Sequence, residues 1–312
     1  MAAFNLTPTE PLTFMLMGIP DLEAAHVWIS IPIFLSYMIG LLGNCTLLVV
    51  VGKEQTLHKP MYLLICMLAL VEIGVTTCIV PKAMWVFWFN LRDIIKGGCF
   101  SQTFFFHTAA VMHSAVLVIM AFDRYVAICN PLRYTTILSN TRIAKFGLVG
   151  LTRAVLFILP MPLLLNRLPF CDNRIIPSTY CDHMSVAKIS CGDITVNRMY
   201  GLVITFLVFG FDLMLIALSY SLIIRAVFIL SSREAHQKAL NTCTAHVSVT
   251  LMSYLPGFIS AVTHRFGEGI APYVHVILAN LYFLIPPMLN PIVYGVKNKE
   301  LRDKMGKYTC RK

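Results

Sequence analysis

Ionised side chains are scarce in this chain. Asp, Glu, Lys and Arg make up 13% of its 312 residues, while 57% are hydrophobic. A soluble globular chain carries about a quarter charged residues, so long stretches here are unsuited to water. Residues 28–51 and 200–224 hold almost no ionised group and are long enough to cross a bilayer as helices. Catalytic patterns are missing too: there is no Ser/His/Asp set, glycine-rich nucleotide loop or metal-ligand spacing, so no enzyme, cofactor or metal site is expected. His107 and His113 share one apolar segment, but their spacing suits a shared metal poorly. An internal repeat is also absent, which argues against a secondary transporter. Residues 1–24 have no basic n-region, so the first span is expected to act as a signal anchor.

What the chain does contain is seven apolar runs, at about 27–51, 61–86, 98–129, 143–165, 197–228, 238–262 and 272–295. They predict an all-α membrane protein, a seven-transmembrane helix bundle over 27–295. Residues 1–26 form an extracellular N-terminus, and 296–312 an amphipathic helix (298–306) with a cytoplasmic tail. The net charge of +10 does not form a basic domain for nucleic acid. Lys53, Lys59, Arg133, Arg142, Arg233, Lys238 and the tail from Lys297 instead sit in short segments expected to face the cytosol. With an odd number of spans and an outside N-terminus, Asn5 in Asn5-Leu6-Thr7 is a glycosylation acceptor.

The longest loop, 166–196, is expected outside and holds Cys171, Cys181 and Cys191; Cys99 opens the third span. Such cysteines suit an oxidising compartment, and their spacing leaves three pairings open. Cys45, Cys66, Cys78, Cys129 and Cys243 read as packing residues, and Cys310 beside the basic tail as a palmitoylation candidate.

Polar groups inside the runs are rare enough to single out. The third span ends in Asp123-Arg124-Tyr125, and an arginine near a bilayer must snorkel, pair or face protein. Glu72 lies in mid-span and needs a partner, water or proton. Asn290-Pro291 interrupts the seventh span, since proline removes one donor and strains the preceding turn, and Tyr294 follows the bend. Tyr254 and Pro256 give the sixth span a similar kink. An outer pocket between spans three, five, six and seven has Phe104, Ala110, Val111, Val208, Phe258, Ala261 and Phe283 as apolar lining. Thr205, Ser260, Thr263 and Asn280 are its lesser polar contacts. His107 and Arg265 break the apolar run, and an arginine fork suits a carboxylate.

Several motifs carry a resemblance. They are Gly43-Asn44, Leu57-His58-Lys59-Pro60-Met61-Tyr62, the block Met120-Ala121-Phe122-Asp123-Arg124-Tyr125-Val126-Ala127-Ile128-Cys129-Asn130-Pro131, and Ser219-Tyr220. Further on come Lys238-Ala239 with Thr242-Cys243-Thr244-Ala245-His246, and Pro287-Met288-Leu289-Asn290-Pro291-Ile292-Val293-Tyr294. Nearly end to end, the chain resembles the rhodopsin-like G-protein-coupled receptors, and within them the odorant receptors. His264-Arg265-Phe266-Gly267 and Phe87-Trp88-Phe89 are similar to the class I, fish-like branch and its family 52.

The resemblance implies a receptor in the plasma membrane, ciliary if olfactory. It implies Arg124 as the switch, held by Asp123 and met by Tyr220 and Tyr294 after rearrangement, and a heterotrimeric stimulatory G protein as partner. It pairs Cys99 with Cys181 and Cys171 with Cys191. It implies fatty acids as ligands, with Arg265 on the acid head and His107 in the pocket. In the wider family the position of Glu72 helps bind sodium with Asn44 and Asn290. Here His113 stands where relatives often carry a glutamate, so a Glu72–His113 pair and a weakened sodium site are expected. A small-metabolite receptor outside the nose remains the alternative.

Overall fold

In the computed structural model the described residues are 11–229, 233–266 and 271–309. Side chains at 229, 233–236, 238–242, 245, 260–266, 272, 297, 299, 308 and 309 fall outside the description, as do Asn5, Gly267 and Cys310. Seven long helices form the body: α1 (His26–Lys53), α2 (Pro60–Phe89), α3 (Lys96–Cys129), α4 (Asn140–Ile158, continued by Pro160–Asn166), α5, α6 (Arg233–Phe266) and α7 (Pro272–Lys297). The fifth, α5, comprises Thr195–Thr205, a π-helical turn at Phe206–Gly210, and Phe211–Ile229. A short α8 (Lys299–Thr309) follows. Each expected span falls inside one of these helices, and most helices run on past it. Among the described residues, six helices are long and apolar enough to cross a membrane; α6 is the other long one, and its first turns are polar.

Local chemistry sets the boundaries. Pro60 opens α2 behind an extended Lys59, because proline needs no helical donor in the first turn and keeps its predecessor out of the helical region. Asn90 closes it in the left-handed conformation (φ 54°) that asparagine tolerates. Ser139 caps α4 by accepting from Arg142 N at 3.3 Å. Pro160 breaks the regular course of α4.

A small sheet covers one end of the bundle. Its central strand β1 (Thr13–Leu16) pairs antiparallel with β2 (Asp93–Ile95) and parallel with β3 (Ile175–Ile176). This adds to the expected all-helical architecture: within the expected N-terminal segment, residues 13–16 pair with two other loops. Phe14, Phe100 and Phe170 pack beneath it with Ile176 and Leu165. A second core around Leu64, Val116, Leu117, Ile143 and Val249 fills the opposite half. The outward faces remain apolar: Trp28, Leu148, Phe206 and Phe228 are all exposed, as a chain solvated by lipid requires.

α1 and α7 approach very closely. A Cβ on Gly43 would stand 2.9 Å from the Pro291 ring. Pro291 has no N–H to give to Pro287 O, and Asn44 Nδ2 fills that vacancy at 3.1 Å.

Candidate functional site

Polar side chains meet in four layers along the bundle, and α3 contributes to each. At the end away from the sheet, Arg124 donates through Nε and Nη2 to Asp123 Oδ2. Asp123 is 1% exposed and also accepts from Tyr134 at 2.7 Å. Tyr220 stacks on His246 and shares a 2.6 Å hydrogen bond with its Nδ1. Tyr294 is buried beside Met120, and Tyr125 packs half-buried against the core. Arg124 is therefore engaged by Asp123, while Tyr220 and Tyr294 have other partners.

In the next layer, Asn290 Nδ2 donates to Glu72 Oε1, and His113 Nε2 lies 3.3 Å from the same oxygen. Both members of the expected Glu72–His113 pair thus meet, with Asn44 one bond away at Pro287. Sodium can be tested against these groups. Glu72 Oε2 and Asn290 Oδ1 are buried acceptors without a hydrogen-bond partner among the described residues, which suits a cation. His113, however, adds an imidazole where a second carboxylate would favour one. No group of three His, Cys, Asp or Glu side chains among the described residues is placed to hold a metal.

The third layer was not anticipated. Asp212 on α5 is fully buried, and Arg153 on α4 grips it bidentately, Nη1 to Oδ1 at 2.8 Å and Nη2 to Oδ2 at 2.6 Å. Ser114 donates to Asp212 Oδ2 at 2.5 Å and shares a 2.5 Å bond with Tyr254 OH. Three helices therefore meet at one carboxylate, and α6 joins them through Ser114. The available signal was a single acid in an apolar run, which must be paired to be tolerated. The π-helical turn of α5 lies immediately before Asp212, at the kind of irregularity often found near functional groups.

The fourth layer is the roof. Cys99 is bonded to Cys181 and Cys171 to Cys191, with Cα separations of 5.4 and 6.2 Å. Gln102 accepts from Cys181 N and Thr103 donates to Cys181 O, both at 2.8 Å, so α3 holds the loop by backbone as well as sulfur. Tyr180 wedges between Phe106 and Phe283. Asp182 caps the short helix His183–Ala187 through Met184 N and Ser185 N. Its Oδ1 lies 3.5 Å from His107 Nε2, an ion-pair distance without hydrogen-bond alignment. Burial, then the charge of His107, pushes the His183 imidazole down to about 4.

A cavity lies below this roof, among α2, α3, α6 and α7. Val75, Phe106, Ala110 and Phe283 form apolar walls, and Glu72, His113 and Ser253 give it polar ones. It sits nearer α2 than the expected pocket among α3, α5, α6 and α7. Of the expected lining, Ala110 and Phe283 border it. Phe258 does not and is 65% exposed. Gly257 packs against Tyr282, and a residue one step on is turned about 100° around the helix, so Phe258 faces lipid. Val111 and Val208 are buried in the core and Phe104 packs on it. Thr205 bonds its own helix at Gly201 O, and Asn280 is occupied by Val276 O and Thr179 Oγ1. The side chains of Ser260, Ala261, Thr263 and Arg265 fall outside the described residues.

The sequence profile described as "Olfactory receptor" matches residues 33–312. The chain belongs to the olfactory receptor family. It is 50% identical to olfactory receptor 52N4 of Homo sapiens over 97% of this chain and 95% of that one. It is 48% identical to human olfactory receptor 52D1, with 98% and 96% covered. Among solved structures, squid rhodopsin matches with a TM-score of 0.75 and 17% identity over 94% of this chain and 87% of that one. This odorant receptor therefore has the rhodopsin-like seven-helix fold of a multi-pass plasma-membrane protein, and no enzyme fold.

Proposed function

We propose that this receptor senses small carboxylic acids and activates a stimulatory, olfactory-type G protein that raises cAMP. The carboxylate class is supported by basic groups gathered at the roofed mouth. His107 acts electrostatically on His183, and Lys188 of the roof loop lies close enough to act on His275 of α7. Arg265 belongs to the last turn of α6, at the same end, and supplies the fixed fork a carboxylate needs. An alkyl tail entering the apolar cavity gains about 0.8 kcal/mol per buried CH₂. The coupling role is supported by Arg124, held by Asp123 at the opposite end. The roofed end faces outside, which makes the sequon at Asn5 a glycosylation acceptor, and α8 faces the cytosol.

The test is cAMP production in cells expressing the receptor with a stimulatory G protein. Straight-chain acids of increasing length are compared with matched alcohols, in wild type, Arg265→Ala and His107→Ala at equal surface expression. Acids are expected to act, alcohols to act weakly, and both variants to lose most of the acid response. Equal responses to alcohols, or an undiminished response in Arg265→Ala, would remove the carboxylate reading. Silence toward every odorant while other family members respond would remove the cAMP reading.

A further inference from the structure

The roof brings a carboxylate of its own to the mouth. Cys181 is fixed to α3 by its disulfide, and Gln102 and Thr103 hold its backbone N–H and C=O. His183, two residues on, is buried, with Nε2 3.4 Å from Asn197 Nδ2 of α5. Asp182 stands between these two anchors, so its position is closely set. One of its oxygens, Oδ2, caps the helix His183–Ala187 by accepting from Met184 N at 3.0 Å and Ser185 N at 3.2 Å. The other, Oδ1, lies 3.5 Å from His107 Nε2. The side chains of His107 and Asp182 are 21% and 24% exposed, so open space lies beside the pair. Among the described residues His107 Nε2 has no hydrogen-bond partner. Asp182 therefore holds it by electrostatics, more loosely than a made hydrogen bond would.

We propose that Asp182 is a specificity-determining residue of the acid response, an internal carboxylate that stands on His107 in place of a ligand and sets the shortest acid the receptor detects. The inference rests on the carboxylate reading of the mouth. An incoming acid meets like charge at Asp182 and competes with Oδ1 for the same imidazole nitrogen. Specificity commonly combines such a repulsive element with the attractive ones. The penalty is the same for every acid, because it belongs to the head group. The gain from the tail is not: each further buried CH₂ raises affinity about fourfold. An acid is detected only when its tail outweighs Asp182. Matched alcohols carry no charge and escape the repulsion, so Asp182 acts on head-group class and threshold length together.

The experiment measures cAMP in cells expressing the full-length receptor with a stimulatory G protein, at equal surface expression. The ligands are sodium salts of straight-chain acids from acetate upward, with the matched alcohols. Asp182→Asn and Asp182→Ser both remove the charge while keeping an N-cap acceptor for the helix His183–Ala187, so two folded variants report on one change. Each is expected to lower the half-maximal concentration of every active acid about tenfold, the scale of one nearby charge. The shortest active acid should become about one to two carbons shorter, and alcohol responses should stay where they are. Acid responses that appear in the variants alone would support the inference most directly. A wild type that answers acids, with both variants keeping its threshold, would overturn the inference and leave the acid reading standing. An equal shift for alcohols would trace the effect to a loosened roof and overturn the role of charge. Silence toward acids in wild type and variants alike would overturn both readings.

Discussion

At the scale of single residues, Asp212 is the most consequential side chain the sequence left unmarked. A carboxylate inside a bundle is tolerable only when its charge and lone pairs are met. Arg153 meets both oxygens, and Ser114 adds a bond to Oδ2. Arg153→Ala should therefore cost about 3–5 kcal/mol by leaving a buried charge bare, seen as a large fall in melting temperature of the purified receptor. Replacing both partners, Arg153→Met with Asp212→Leu, should be milder than either single loss, because no charge is stranded. His183 offers a second prediction. Its imidazole is held down to about 4 by burial, against 6.5 for the free group. The unfolded roof then binds more protons than the folded one below about pH 6.5, so roof stability falls with pH from there and levels off below about 4. Amide exchange in 180–190 should accelerate over that window, and His183→Asn should flatten the profile.

Elements were legible in the sequence to the extent that their signal was local. Long uncharged runs fix helices because lipid leaves the backbone no other donor, so α1 to α5 and α7 follow from composition. The sheet was not legible. β1, β2 and β3 have 4, 3 and 2 residues, too few for an alternation pattern, and their partners are remote in sequence. The outward facing of Phe258 was hidden for a related reason: it depends on the register after Pro256. Attachment of α8 was equally hidden, because its partners come from the α1–α2 turn. Lys304 pairs with Glu54 at 2.5 Å, and Lys59 with Glu300 at 3.0 Å, where Tyr62 also donates at 2.9 Å. The hydrogen bond from Lys59 holds the Glu300 carboxyl below its usual range. Its contribution is present above the ordinary carboxylate value and is lost as pH falls through the lowered one. The exposed Lys59–Glu300 pair is worth about 0–1 kcal/mol, while Lys304–Glu54 is half-buried. Glu54→Ala should leave global melting nearly unchanged yet raise amide exchange along 300–307, and added salt should reproduce part of that effect in wild type.

On the scale of the whole molecule, α3 strings the polar layers together. His107 meets the roof, His113 and Ser114 the middle, and Asp123 with Arg124 the far end. At 1.5 Å of rise per residue, the roof and the middle lie about 9 Å apart and the far end about 15 Å further on. A signal from mouth to far end must therefore change the middle layer, where α3, α5 and α6 share Ser114, Asp212 and Tyr254. Those bonds coexist with an Arg124 still engaged by Asp123, so they belong to the arrangement in which the far end is closed. Tyr254→Phe removes the shared hydroxyl but keeps the ring on Phe209. Losing one such bond is worth about 1 kcal/mol, which moves a two-state equilibrium about fivefold toward the open arrangement. Ligand-free cAMP should rise by up to that factor at equal surface expression, and the half-maximal acid concentration should fall in parallel. A drop in ligand-free cAMP would mean instead that the Ser114–Tyr254 bond is worth more in the open arrangement than in this one.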